Sequence, residues 1–176
     1  MHEISDISIV KGFIEMYSLA LTALAFIVYT LMTKRVTSFN LVLIATILLH
    51  IIHSYITRSL IPLFGIEEYA NVVGYLWYLS FGITDVLLIF VCVRLVERYE
   101  LAKDRASYLI LLTYGFMASL QFIDLSLTRL GYNWFAEFYS NGIMFSNILV
   151  TVIPCVMAIR VVLVRLGAVI IPVREG

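Results

Sequence analysis

Apolar runs of about twenty residues recur along the 176-residue chain, and they limit how it can fold more than any other feature. A helix of that length crosses the hydrocarbon core of a bilayer, and it satisfies every backbone N–H and C=O within its own segment. The runs are continuous rather than alternating, which argues against a transmembrane β-barrel. We therefore predict an all-α integral membrane protein with five transmembrane helices. The predicted spans are approximately 12–33, 39–60, 72–95, 106–128 and 141–166.

The composition supports this prediction and excludes several classes of protein. Hydrophobic residues make up 62% of the chain and charged residues 14%, which is too few charges for the surface of a soluble domain. The 12 Lys and Arg balance the 12 Asp and Glu, and they form no contiguous basic block, so no nucleic-acid partner or polybasic lipid contact is expected. Cys92 and Cys155 lie in separate apolar runs and predict neither a disulfide framework nor a cysteine metal cluster.

The start of the chain is acidic and lacks the positive region of a secretory signal, so the first apolar run is interpreted as a retained helix. Residues 1–176 are then treated as one transmembrane domain. The segments 34–35, 94–105 and 160–174 hold nine Lys and Arg, whereas Lys11, Arg58 and Arg129 are the three on the other side. Basic residues concentrate in cytoplasmic loops, so we expect an outside N-terminus and a cytoplasmic C-terminus. The cell membrane, plasma or inner, is the default location.

A polar pattern in the second span appears again in the fourth. Segment 50–58 matches segment 121–129 at a distance of 71 residues, and the loops 62–71 and 131–141 also resemble each other. This similarity predicts a duplicated helical hairpin of the parallel type, with one extra N-terminal helix. The matched positions are His50 with Gln121, His53 with Asp124, Thr57-Arg58 with Thr128-Arg129, Glu67 with Glu137, Tyr69 with Tyr139 and Asn71 with Asn141.

The two similar loops contain aromatic residues together with a few acids, which is typical of segments in the headgroup region. Arg58 and Arg129 lie at the ends of their spans, so their side chains are expected to extend toward this interface. There they would pair with acidic residues of the loops. The candidate acids are Glu67, Glu68 and Glu137.

Each predicted span has one stripe of polar residues at helical spacing, and we expect these stripes to face one another inside a bundle. An ionised side chain near the centre of a membrane helix costs about 2.5–3.5 kcal/mol, so such residues need partners and are candidates for function. If the two hairpins are related by a two-fold axis, His53 and Asp124 form an acid–base pair. The candidate proton-responsive residues are Glu15, His50, His53, Asp85, Gln121 and Asp124.

Three functions fit this pattern, and we favour transport of protons, cations or a small polar solute, as a channel or carrier. The alternative is a membrane sensor or an assembly subunit, in which the stripes serve helix packing. An intramembrane metal or redox enzyme is the third, with His50, His53 and Asp124 as the ligands if a metal is bound. No enzyme motif is found and no cofactor is strongly implied. The expected partners are the lipid bilayer and either further copies of the chain or a partner membrane subunit.

Overall fold

The computed structural model describes the backbone of residues 2–132 and 134–167, and the side chains of residues 17–69, 71–132 and 134–167. This part of the chain is all-helical and contains no strand, which confirms the predicted class. Its elements are α1 (His2–Thr33), α2 (Ser38–Leu60), a 3-10 helix (Ile61–Gly65), α3 (Ala70–Arg98), α4 (Arg105–Arg129) and α5 (Ala136–Arg165).

Four segments are long and apolar enough to cross a membrane, and a shorter apolar helix precedes them. The shorter stretch is Tyr17–Thr33, the second half of α1. Residues 12–16, at the start of the predicted first span, have side chains outside the described set. The four longer segments are Ser38–Gly65, Asn71–Arg98, Arg105–Arg129 and Ala136–Arg165.

The predicted boundaries of the second, third and fourth spans lie within three residues of α2, α3 and α4. The predicted loop 131–141 is wrong from residue 136 onward, because α5 begins at Ala136, five residues before the predicted start of the fifth span. Hydropathy identifies the part of a helix that matches hydrocarbon, whereas the helix itself continues as long as its backbone hydrogen bonds do. Glu137 and Tyr139 consequently belong to a helix and not to a loop.

Helices α2 and α4 begin at the same end of the bundle, where their first residues are hydrogen-bonded to each other. The backbone N–H of Asp104 donates to Ser38 Oγ at 3.0 Å, and Ser38 Oγ lies 3.0 Å from Ser107 Oγ. Each helix has its own N-cap, a Thr37–Asn40 capping box for α2 and the Asp104 carboxylate for α4. Arg98, Arg105 and Arg165 mark this as the basic end of the bundle.

The five helices form a closed ring in which each packs on the next and α1 packs on α5, while α2 also reaches across to α4. The hydrophobic core lies toward the basic end, and Phe39, Leu43 and Ile110 in it are fully buried. In α2 the buried residues all lie between Ser38 and Leu49. The second half of α2 is therefore only partly covered, and its closest neighbour there is α3. The opposite, aromatic end of the bundle carries Phe64, Trp77, Tyr78 and Trp134.

A glycine allows α3 and α4 to approach closely. A Cβ atom at Gly82 would lie 3.0 Å from Phe122 Cζ and 3.3 Å from Gln121 Cβ, which is tighter than ordinary van der Waals contact. The absence of a side chain at Gly82 thus brings the polar face of α4 next to the segment of α3 that carries Asp85.

Candidate functional site

Asp85 is the most unusual residue of the bundle. It lies in the middle of α3, its side chain is 0% exposed, and neither carboxyl oxygen receives a hydrogen bond from any residue that the structure describes. Burial of a carboxyl group without such partners is costly, and more so when it is ionised. The ionisable group beside it is His53 of α2, whose Nε2 lies 3.6 Å from Asp85 Oδ1.

His53 is held in place by Thr84, the residue next to Asp85. His53 Nε2 lies 2.8 Å from Thr84 Oγ1, and Thr84 Oγ1 is within 2.7 Å of the Ser80 carbonyl oxygen and 3.0 Å of that of Phe81. A hydroxyl has one proton to donate, and here it is directed to its own helix backbone. Thr84 Oγ1 is then the acceptor, so we assign the tautomer of His53 with a proton on Nε2.

His50 extends the site by one helical turn toward the basic end. Its Nε2 is buried and has no hydrogen-bond partner among the described residues. We call His50, His53, Thr84 and Asp85 the central cluster. The buried Tyr114 of α4 lies near Thr46 and Asp85, and Thr46 Oγ1 has no hydrogen-bond partner among the described residues.

Gln121 and Asp124 belong to a second polar group, nearer the aromatic end. The Tyr139 hydroxyl donates to Gln121 Oε1 at 2.9 Å, and the Tyr78 hydroxyl interacts with the Asp124 carboxylate. The rings of Tyr78 and Tyr139 are in contact, with centroids 5.5 Å apart. We call Tyr78, Gln121, Asp124 and Tyr139 the tyrosine group, and its contacts link α3, α4 and α5.

The predicted acid–base pair of His53 with Asp124 is wrong, because the acid next to His53 is Asp85. The buried face of α2 ends at Leu49, and beyond it the helix lies against α3 rather than α4. Asp124 points instead to the tyrosine group. A resemblance between the sequences of two helices does not make their matched residues contact each other.

The expected ion pairs at the aromatic end are also not found. Among the described residues, His53 and Asp85 are the one pair of a basic and an acidic side chain within 4.0 Å. The Arg129 guanidinium lies over the ring of Tyr75 instead, with its Cζ atom 4.8 Å from the ring centroid. The negative face of an aromatic ring attracts a cation, so Tyr75 is a partner for this exposed arginine. Arg58 and the three candidate acids, Glu67, Glu68 and Glu137, are exposed. The side chain of Glu15 lies outside the described residues.

The three residues named as possible metal ligands are not assembled into one site. His50 and His53 share a face of α2, whereas Asp124 belongs to the tyrosine group. Among the described side chains, no group of three or more His, Cys, Asp or Glu is positioned to hold a metal ion. The metal hypothesis therefore has no ligand set in this part of the chain.

The central cluster is enclosed differently at its two ends. Toward the aromatic end lies a row of aromatic rings in contact with one another. The ring centroids are 5.8 Å apart for Phe64 and Trp77, and 4.7 Å apart for Trp77 and Phe81. The centroids of Phe81 and His53 are 4.6 Å apart. Toward the basic end, the interior is filled by the apolar core, including Phe39 and Ile110. The cluster thus lies between a row of aromatic rings and a closed apolar half.

Three residues of the two polar groups and their surroundings were not among the candidates from the sequence, although two of them left a signal there. Tyr114 precedes Met117, Gln121 and Asp124 at spacings of three and four, which places it on the same face of α4. Thr84 adjoins Asp85 in the chain. Tyr139 was assigned to a loop because the start of α5 was predicted too late.

The chemistry available to the central cluster is proton exchange. Two imidazoles and one carboxyl group lie in the interior of a helical bundle, where their charge states are strongly coupled to their surroundings. No protein-family model, curated protein or solved structure matches this chain.

Proposed function

We propose that this protein moves protons, or cations coupled to protons, across a membrane, and that Asp85 and His53 exchange the transported proton. The observation that carries the proposal is the fully buried Asp85 carboxyl group, which has no hydrogen bond from a described residue and faces an imidazole at 3.6 Å. Interhelical packing does not require such a group, since a satisfied amide or hydroxyl would hold two helices together at lower cost. Ionisable residues at such positions commonly mark proton paths.

In this mechanism the central cluster is neutral in its resting state, with a protonated Asp85 and an imidazole that donates from Nε2 to Thr84. A second proton binds the free Nδ1 of His53, and the Asp85 proton leaves, so that an imidazolium–carboxylate pair replaces two neutral groups. The return of one proton to Asp85 and the loss of one from His53 completes the cycle. His50, one turn away, is the proposed next acceptor toward the basic end.

The apolar core beside the cluster means that passage to the basic end requires a second conformation or a path between copies of the chain. Alternating access around a site near the bilayer midplane is the usual solution in small transporters. We propose a homo-oligomer or a complex with a partner membrane subunit for the same reason. The duplicated hairpin remains part of the proposal: α2 with α3 and α4 with α5 are adjacent pairs in the ring, as such a repeat requires.

The proposal places the basic end in the cytoplasm and the N-terminus outside, with Tyr17–Thr33 as the core of a fifth span in the cell membrane. The nine Lys and Arg in the sequence segments 34–35, 94–105 and 160–174, against three elsewhere in the sequence, support this orientation.

The closed core also supports a second candidate function, that of a membrane sensor or assembly subunit. Some polar residues of the stripes are paired between helices, as in the 2.5 Å contact of Ser18 with Thr151 and the Tyr139–Gln121 bond. Such contacts specify packing without conducting anything. In this function the central cluster would change its charge state and alter contacts with a partner.

Proton flux into liposomes separates the two functions. Wild-type protein in vesicles with an internal pH dye and a potassium diffusion potential should acidify them faster than empty vesicles do. Asp85→Asn should slow this flux by roughly tenfold or more, because it removes a proton-exchanging group but preserves shape. Glu97→Gln, which removes an exposed carboxylate from the same helix, is the matched control and should conduct as the wild type does.

Two outcomes would contradict transport. Asp85→Asn vesicles that acidify at the wild-type rate would remove Asp85 from the path. Wild-type protein that carries no flux and copurifies with a stoichiometric partner would establish the sensor or assembly function instead.

A further inference from the structure

A groove of about 470 Å³ opens at the basic end, between the start of α4 and the second half of α5. Its rim and walls come from chain segments that are about fifty residues apart, so no short sequence motif predicts it. The sequence contains no basic block, yet the fold collects three cations at this one opening. They are Lys103, Arg105 and Arg160.

The charge of the rim is positive and available to a ligand. All three cationic side chains are exposed, and none has an ion-pair partner among the described residues. The one acid of the rim, Asp104, accepts a hydrogen bond from the Ala106 N–H at 2.7 Å and serves as the N-cap of α4. The rim therefore offers an anion several donors and one acid that is already engaged.

The walls below the rim are apolar and face outward from the bundle. Leu109 of α4 and Val152 and Val156 of α5 line them, and all three are exposed. From Arg160 to Val152 the wall extends by eight residues, or about 12 Å of helix. A cationic rim above an apolar wall of this length matches a molecule with an anionic headgroup and an acyl chain.

We propose that this groove binds one anionic phospholipid. Its phosphate lies among Lys103, Arg105 and Arg160, and an acyl chain lies against Leu109, Val152 and Val156. Basic pockets between membrane helices are a common way to hold anionic headgroups, and the apolar wall explains why the ligand is a lipid rather than a soluble phosphate. This inference does not depend on the proposed transport function.

Native mass spectrometry of the purified full-length protein in detergent tests the proposal. Titration with phosphatidylglycerol should give one tightly bound lipid, whereas phosphatidylcholine with the same acyl chains should bind more weakly. Each of Lys103→Gln, Arg105→Gln and Arg160→Gln should weaken phosphatidylglycerol binding by roughly fivefold, the effect of one cation near an anionic headgroup. Arg98→Gln is the matched control, because this exposed arginine lies at the same end but outside the groove, and it should leave binding unchanged.

A fourth variant tests the acyl-chain half of the site. Val156→Trp places a bulky ring in the exposed wall and should displace the lipid without a change in the charge of the rim. Equal binding of the two lipids, or an Arg98→Gln effect as large as that of Arg160→Gln, would overturn the proposal. Competition by millimolar inorganic phosphate, with no effect of Val156→Trp, would also overturn it and assign the rim to a soluble anion.

Discussion

At the scale of single residues, the central cluster and the tyrosine group differ in how well their polar atoms are satisfied. Gln121 is hydrogen-bonded to Tyr139 and Asp124 interacts with Tyr78, as expected of residues that hold helices together. Asp85 is equally buried but has no hydrogen bond from a described residue. A group that lowers stability and yet lies in the centre of the fold is more easily understood by function than by packing.

Replacement of Asp85 by leucine should therefore stabilise the protein. The change removes a buried carboxyl group and leaves the His53–Thr84 hydrogen bond intact, so we expect a gain of about 1–3 kcal/mol in the free energy of unfolding. Thermal unfolding in detergent, followed by helical circular dichroism, measures it. The matched control is Asn40→Leu, which removes a buried amide whose oxygen and nitrogen are both hydrogen-bonded and should lower stability by about 1–2 kcal/mol. A lower melting temperature for Asp85→Leu would mean that Asp85 serves packing.

At the scale of the helices, the position of α3 matters most, because it contributes to both polar groups. Thr84 and Asp85 face α2, while Tyr78 contacts residues of α4 and α5. The close contact at Gly82 sets the distance between α3 and α4 at this level.

A larger residue at Gly82 should therefore separate α3 from α4. In Gly82→Val the added side chain clashes with Phe122 and Gln121. Overpacking of this kind lowers the free energy of unfolding by about 1–3 kcal/mol. The melting temperature in detergent should fall accordingly. Gly115→Val serves as the control, since a Cβ atom there meets only Ile89 Cδ1, at 3.6 Å, and it should melt close to the wild type. Equal melting temperatures for the two variants would show that Gly82 does not set the helix spacing.

At the scale of the whole molecule, the two ends of the bundle are chemically distinct. The basic end has capped helix starts, an apolar core and the cationic groove. The aromatic end has the 3-10 helix and a row of aromatic rings in edge-on and tilted contact. This difference fits a chain that meets the two faces of a membrane with different surfaces.

Cysteine labelling in intact cells tests the proposed orientation. In a variant with Cys92→Ala and Cys155→Ala, a cysteine at Glu68 should react with a membrane-impermeant maleimide added from outside. A cysteine at Glu97 should react only after permeabilisation, because the two exposed positions lie at opposite ends of α3. If only the cysteine at position 97 reacts in intact cells, the protein has the opposite orientation to the proposed one.

The sequence by itself determined the all-helical class, the four long apolar helices and most of their boundaries. These properties depend on local hydrophobicity and on backbone hydrogen bonds within each segment, and both can be read along the chain. The helical spacing of the polar residues likewise indicated that His50, His53 and Asp85 face the interior, because a side-chain stripe is a local property.

Only the tertiary structure decided which of these residues meet. His53 lies beside Asp85 and not Asp124, because the covered face of α2 ends at Leu49 and α3 lies next to the remainder. The same holds for Lys103 and Arg160, which are far apart in sequence and share one groove. Contacts between helices depend on how the helices cross and splay, and a pattern within one helix carries no information about its neighbour's position.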